Sequence, residues 1–105
     1  MDTDTIIRAP VNTAGVTASF TVLKGKPIAV GLYPVADLTS GETADLQRTD
    51  PAGTFGDVYD FSFGGVVNID LATNATEVIV ETPGTYRLNV ADPTNAIGAY
   101  IRKVE

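Results

Sequence analysis

Apolar residues in this 105-residue chain recur at every second position, in short runs broken by Gly, Pro, Asn and Asp. A period of two places the apolar set on one face of an extended strand, and a helix cannot do the same. Val16, Ala18, Phe20 and Val22 alternate with Thr17, Ser19 and Thr21. Val16, Phe20 and Leu23 also fit a helical template in part. Val, Thr and Phe favour strands, however, and three threonines weaken a helix, so the residues predict a strand over 16–23. Lys24-Gly25-Lys26-Pro27 breaks that run, because Pro27 fixes φ and lacks a donor.

The same reading continues along the chain. Ile28 to Leu32 is a second strand, with Gly31 as a candidate bulge and Pro34 as its end. After the connection Leu38 to Gly41, Ala44 and Leu46 alternate with Asp45 and Gln47 in a strand over Glu42 to Arg48. Asp50-Pro51-Ala52-Gly53 is a turn. Tyr59, Phe61 and Phe63 share one face of a strand from Asp57 to Phe63, and Gly64-Gly65 suits a hairpin. Val67, Ile69 and Leu71 alternate next, and Ala72 to Ala75 is a loop. The continuous run Val78-Ile79-Val80 predicts a strand buried on both faces. Pro83-Gly84 matches the centre of a type II turn. Tyr86, Leu88 and Val90 form one more alternating face, Asp92 to Asn95 a turn, and Ile97 to Val104 the last strand. Strands at this spacing give an all-β fold: a small antiparallel β-sandwich or jelly-roll-like barrel of about seven to nine short strands. Either form also limits exposed strand edges.

Residues 16–105 make up that domain. Residues 1–15 differ: they are polar, contain Pro10 and Gly15, and hold one apolar patch, Ile6-Ile7. They are either an added strand of the domain or an arm that orders on a partner by strand addition. In the second case Ile6, Ile7 and Arg8 are the candidate partner-binding residues.

Charge and residue usage exclude several functions. The formal net charge is −6, with only seven Lys plus Arg, and these are scattered apart from Lys24-Gly25-Lys26 and Arg102-Lys103. A nucleic-acid binder needs clustered cations to displace phosphate counterions, so no nucleic-acid partner is expected. The acidic balance suits solubility and mutual repulsion before assembly. Apolar residues make up 44% and charged residues 19%, the reverse of a disordered chain. Met1-Asp2-Thr3-Asp4 has no apolar region behind it, so no secretion signal is expected. No apolar run approaches the roughly 20 residues of a membrane helix, and no membrane partner is expected.

The chain has no histidine and no cysteine. It therefore lacks the commonest acid–base group, the thiol nucleophile and the usual zinc ligands. Gly53-Thr54-Phe55-Gly56 and Gly64-Gly65 lack the spacing and following helix of a phosphate loop. The carboxylates Asp50, Asp57 and Asp60 are close in sequence, but a glycosidase needs a defined pair in a cleft and calcium needs six to eight oxygens. They read as solvent-facing acids on turns and strand ends, and Asp2 and Asp4 as a charged tail. Tyr59, Phe61 and Phe63 read as core, with sugar or base stacking as the alternative. Tyr33, Tyr86 and Tyr100 stay open between core and surface. Arg87 is a candidate for a cross-strand pair with an acid. Asn74-Ala75-Thr76 is an isolated glycosylation tripeptide. No catalytic residue, metal ligand or cofactor is expected, and the chain reads as a non-enzyme.

One order of segments resembles a known group. Phe20-Thr21-Val22 is followed by the Lys/Gly/Pro turn, Ile28-Ala29-Val30, and Leu38 to Glu42. Then come Val67-Asn68-Ile69-Asp70-Leu71, Asn74, Val78-Ile79-Val80 and Pro83-Gly84-Thr85-Tyr86-Arg87-Leu88. Over about residues 16–101 this is similar to the small all-β virion proteins of tailed bacteriophages, of the capsid decoration or cement type. The resemblance implies a structural protein on the capsid exterior, made in the host cytoplasm. Its partner would be the major capsid protein or another virion protein. It also implies a homo-oligomer, with a trimer at local three-folds as the natural ring. A tail, baseplate or fibre module that binds a virion protein or a glycan is the alternative.

Overall fold

The computed structural model describes residues 4–34, 43–60, 65–70, 77–91 and 95–104. Its strands are β1 (Thr5–Val11), β2 (Gly15–Val16), β3 (Phe20–Val22), β4 (Ile28–Tyr33), β5 (Thr43–Thr49) and β6 (Phe55–Asp57). They continue as β7 (Tyr59–Asp60), β8 (Gly65–Val66), β9 (Asn68–Asp70), β10 (Glu77–Val80), β11 (Gly84–Ala91) and β12 (Ile97–Lys103). One sheet has the order β1-β12-β4-β10. The other runs β2-β11-β5-β6, with β3 also on β11 and β9 also on β5, and every pairing is antiparallel. The two inner faces meet as a β-sandwich.

Alternation explains which residues meet. Ile28, Val30, Leu32, Val80, Ile97 and Ala99 point inward from the first sheet. Phe20, Val22, Ala44, Leu46, Ile69, Tyr86, Leu88 and Val90 point inward from the second. Burying each larger side chain contributes about 1.5–3 kcal/mol, so packing alone can hold a chain without disulfides.

The strand expected to be continuous over residues 16–23 is interrupted, and one neighbour position of β5 is shared by two short strands. Along one side of β11, β3 pairs with its first half and β2 with its second. Between them Thr17 replaces the ladder: its N–H donates to the Leu88 carbonyl at 2.9 Å, and its Oγ1 accepts from the Leu88 N–H at 3.0 Å. The buried hydroxyl thus satisfies a backbone donor that a straight strand would have met with an amide partner. On the far side of β5, β6 pairs with one half and β9 with the other. The β7–β8 hairpin leaves between them, its base closed by Val67 N–H to the Val58 carbonyl at 2.8 Å. Among the described residues, counting β2 with β3, β6 with β7 and β8 with β9 each as one interrupted strand gives nine.

Other differences have local causes. Ile79 is 57% exposed although the run around it reads as doubly buried. β10 is an end strand of its sheet, and alternation turns Ile79 to the outer face, opposite to buried Val80. Gly31 is not a bulge: it pairs in register with Tyr100 on one side and Glu77 on the other. Gly84 is not the centre of a turn. It begins β11 opposite Val22, and a Cβ there would lie 2.6 Å from Arg48 Nε, whose guanidinium donates to the Pro83 carbonyl at 2.8 Å. The Asp50 turn forms as read, with Asp50 Oδ1 accepting from the Ala52 and Thr54 amides, both at 2.9 Å, and Gly53 at φ 87°. Tyr59, Phe61 and Phe63 as a packed face, and Asn74-Ala75-Thr76, lie outside the described side chains.

Candidate interaction face

The outer face of the β1-β12-β4-β10 sheet is built from the residues that alternation leaves over. Register aligns Ile6, Tyr100, Gly31 and Glu77 in one row across all four strands. The next row holds Arg102, Ala29 and Ile79. Glycine decides how the aromatics lie. A Cβ on Gly31 would sit 2.6 Å from Tyr100 Oη, so the Tyr100 ring lies flat across that glycine. A Cβ on Gly98 would sit 2.6 Å from Tyr33 Cε1, so the Tyr33 ring crosses Gly98 in the same way. Glycine in a strand interior marks such a close approach. The two rings meet edge to face, 6.2 Å between centroids.

The lying-down posture directs the hydroxyls sideways. Tyr100 Oη donates to Glu77 Oε2 at 2.5 Å, and Arg102 donates to both Glu77 oxygens, at 2.5 and 3.3 Å. Burial acts to raise the Glu77 carboxyl, but the Tyr100 and Arg102 hydrogen bonds and the Arg102 charge outweigh it and hold the group below its ordinary 4.5. Burial, then the hydrogen bond to Glu77 and its charge, push the Tyr100 hydroxyl up to about 12. The face is therefore a flat, pre-ordered patch of Tyr, Arg and Ile around one fixed carboxylate. Tyr and Arg are enriched at the energetically decisive centres of protein interfaces.

Residues 5–11 form the end strand of this sheet rather than a detached arm. Of the three residues singled out there, Ile6 lies on the outer face and is 54% exposed. Ile7 points the other way and packs against the core, and its carbonyl accepts from Ala18 N–H at 3.0 Å. The Arg8 guanidinium donates to the carbonyls of Gly15, at 2.9 Å, and Thr13. Those contacts fasten β1 to the crossing between the two sheets. Ile6 thus belongs to the candidate face, while Ile7 and Arg8 hold its strand in place. Tyr33, Glu77, Tyr100 and Arg102 join it through register alone. The sequence signal that could have found them is the pair of strand glycines, Gly31 and Gly98.

On the outer side of the second sheet, Arg87 stands opposite Gln47 rather than an acid. Its Nε donates to Gln47 Oε1 at 2.8 Å, and its guanidinium lies 4.0 Å from the centre of the Phe55 ring. Gln47 in turn donates to Asp57 Oδ1 at 3.1 Å, so this carboxylate is an exposed member of a cross-strand polar row. Tyr86 is core: 2% exposed, stacked on Phe20, with its hydroxyl on the Thr82 carbonyl at 2.7 Å. Among the described residues no three acidic, His or Cys groups converge as a metal site.

No family model matches the sequence, and no curated protein matches it. The fold has a solved counterpart. The crystal structure of the SPBc2 prophage-derived protein YomS superposes with a TM-score of 0.65 at 9% identity, covering 100% of this chain and 94% of that one. At that identity the likeness establishes a shared β-sandwich architecture along the whole length of the chain.

Proposed function

We propose that this chain is a non-enzymatic virion structural protein of a tailed phage, a capsid decoration protein that binds and stabilises the outer capsid surface. The observation that carries the reading is the end-to-end fold likeness to a prophage-derived protein. The residue usage supports it, since a chain with neither His nor Cys has few means of catalysis. So does the flat outer sheet face, where Ile6, Tyr33, Ile79, Tyr100 and Arg102 offer apolar area and fixed polar groups to a protein lattice. Many copies on a repeating lattice would sum a modest affinity per contact by avidity. The partner in this reading is the major capsid protein, with neither nucleic acid nor membrane involved. Fold alone does not fix function, so the test is direct. Purified protein is added to mature capsids lacking it. The expected result is saturable binding to the exterior and greater resistance of the particle to heat, both weakened by Ile6→Asp and Ile79→Asp. Localisation to tails or baseplates in intact virions, with capsids ignored, would overturn it.

A further inference from the structure

The end of the sandwich where β3 turns into β4 carries a second, differently built surface. Three of the seven cations of the chain, Lys24, Lys26 and Lys103, gather there. Lys103 pairs with Ile28, and Val104 N–H donates to the Pro27 carbonyl at 3.1 Å, which brings the end of β12 against the Lys24–Lys26 turn. Between them lies a cleft of about 440 Å³ bordered by Leu23, Lys26, Pro27, Ile28, Lys103 and Val104. Leu23 is 57% exposed at its rim. Lysines around an apolar floor fit a small, rigid, acidic protrusion.

The chain carries such a protrusion at the same end. The Asp50–Gly53 turn is exposed, and four hydrogen bonds fix it: two to Asp50 Oδ1, Gly53 N–H to the Asp50 carbonyl at 2.9 Å, and Asp50 N–H to the Thr54 carbonyl at 2.9 Å. Its tip is Pro51-Ala52, small and apolar, beside the Asp50 carboxylate. Cleft and turn flank the start of β11. Val22 of β3 is opposite Gly84, while Asp50 and Pro51 border a recess with Gly84 and Thr85 on the other side. Two strand spacings, about 10 Å, separate β3 at the near border of the cleft from β5 at the base of the turn.

We infer that two copies of this chain associate end to end, each inserting its Asp50–Gly53 turn into the lysine-lined cleft of the other. A knob and a hole at the same end of one molecule satisfy each other in pairs about a two-fold axis, which closes the assembly at a dimer. The net charge of −6 does not forbid it. The molecule measures 34 × 34 × 25 Å, so the centres of two touching copies lie several Debye lengths apart at physiological salt, about 8 Å each, while the facing Asp and Lys groups lie within one. The turn is already rigid, so little ordering entropy opposes its insertion. This contact uses none of the outer sheet face and stands apart from the capsid reading.

Sedimentation velocity across micromolar to millimolar concentration tests it, with circular dichroism melts to verify folding. Wild type should show a monomer–dimer equilibrium at physiological ionic strength. Lys26→Glu/Lys103→Glu should weaken it about tenfold or more, since the symmetry reverses each charge pair twice. Ala52→Lys keeps the turn's hydrogen bonds and should weaken it similarly by placing a cation against the lysines. Combining all three substitutions should restore the dimer. A wild type monomeric throughout, an association indifferent to these substitutions, a trimer, or no restoration in the combined variant would each overturn the inference.

Discussion

The two tyrosine-over-glycine crossings make a quantitative prediction about which strand glycines tolerate a methyl group. At Gly98 the added Cβ would meet the Arg8 carbonyl at 2.5 Å and Tyr33 Cε1 at 2.6 Å. One obstacle is backbone, so swinging a side chain away cannot relieve it, and β1 itself must move. Overpacking of this kind costs about 1–3 kcal/mol. Against it stands the gain from restricting the unfolded chain, about 0.4–1 kcal/mol for Gly→Ala. Gly98→Ala should therefore lose a net of about 1–2 kcal/mol, a fall in Tm of roughly 5–15 °C. At Gly31 the obstacle is the tip of the Tyr100 ring, 2.6–2.9 Å away. That ring can rotate off, so Gly31→Ala should cost less and should break the Tyr100–Glu77 hydrogen bond. At Gly56, in β6, nothing lies within 4 Å and the backbone is ordinary for any residue, so Gly56→Ala should be neutral or slightly stabilising. Urea unfolding midpoints for the three variants measure the order, and amide exchange along β1 in Gly98→Ala reports the displaced strand. If Gly98→Ala is as stable as Gly56→Ala, the account of the face as rings lying on bare backbone is wrong.

Four further outcomes rest on named contacts. Thr17→Val keeps the shape but leaves the buried Leu88 N–H without its acceptor, which should cost about 1–3 kcal/mol in chemical denaturation. Tyr86→Phe removes one part-buried hydrogen bond, to the Thr82 carbonyl, for about 1 kcal/mol, with the Phe20 stacking retained. The Glu77 carboxyl is held below 4.5, so its stabilising share is complete above that value and is lost as the pH falls through the folded-state value. Melts of wild type and Glu77→Gln should differ at neutral pH and converge in acid. Tyr100, raised to about 12, behaves in the opposite sense: its share is whole below 10.0 and drains as the pH climbs toward 12. In an ultraviolet titration its phenolate should appear after that of a free tyrosine, and Glu77→Gln should bring it earlier.

The period-two pattern was sufficient for the fold class and for most of the core. Ala44, Leu46, Tyr86, Leu88 and Val90 are buried as their alternation demands. The Asp50 turn was equally legible, because its conformation depends only on neighbours within five residues. Two kinds of information were not local. The break at Thr17 depends on a Leu88 amide 71 residues away that needs a partner. The exposure of Ile79 depends on where β10 falls in the strand order, which the hydrophobicity of Val78-Ile79-Val80 does not encode.

The candidate face shows the same division. The sequence by itself determined the supply of parts: strands with one apolar face each, tyrosines free to lie either way, glycines inside two strands, and no residue suited to thiol or imidazole chemistry. Only the tertiary structure decided that Tyr100 faces Gly31 and Tyr33 faces Gly98, that Glu77 meets Arg102 on the next strand but one, and that Arg8 fastens β1 instead of reaching outward. The reason is that alternation fixes which face a side chain occupies, while register fixes its neighbour across the sheet. Register is set by the joint packing of all the strands, so no single segment contains it.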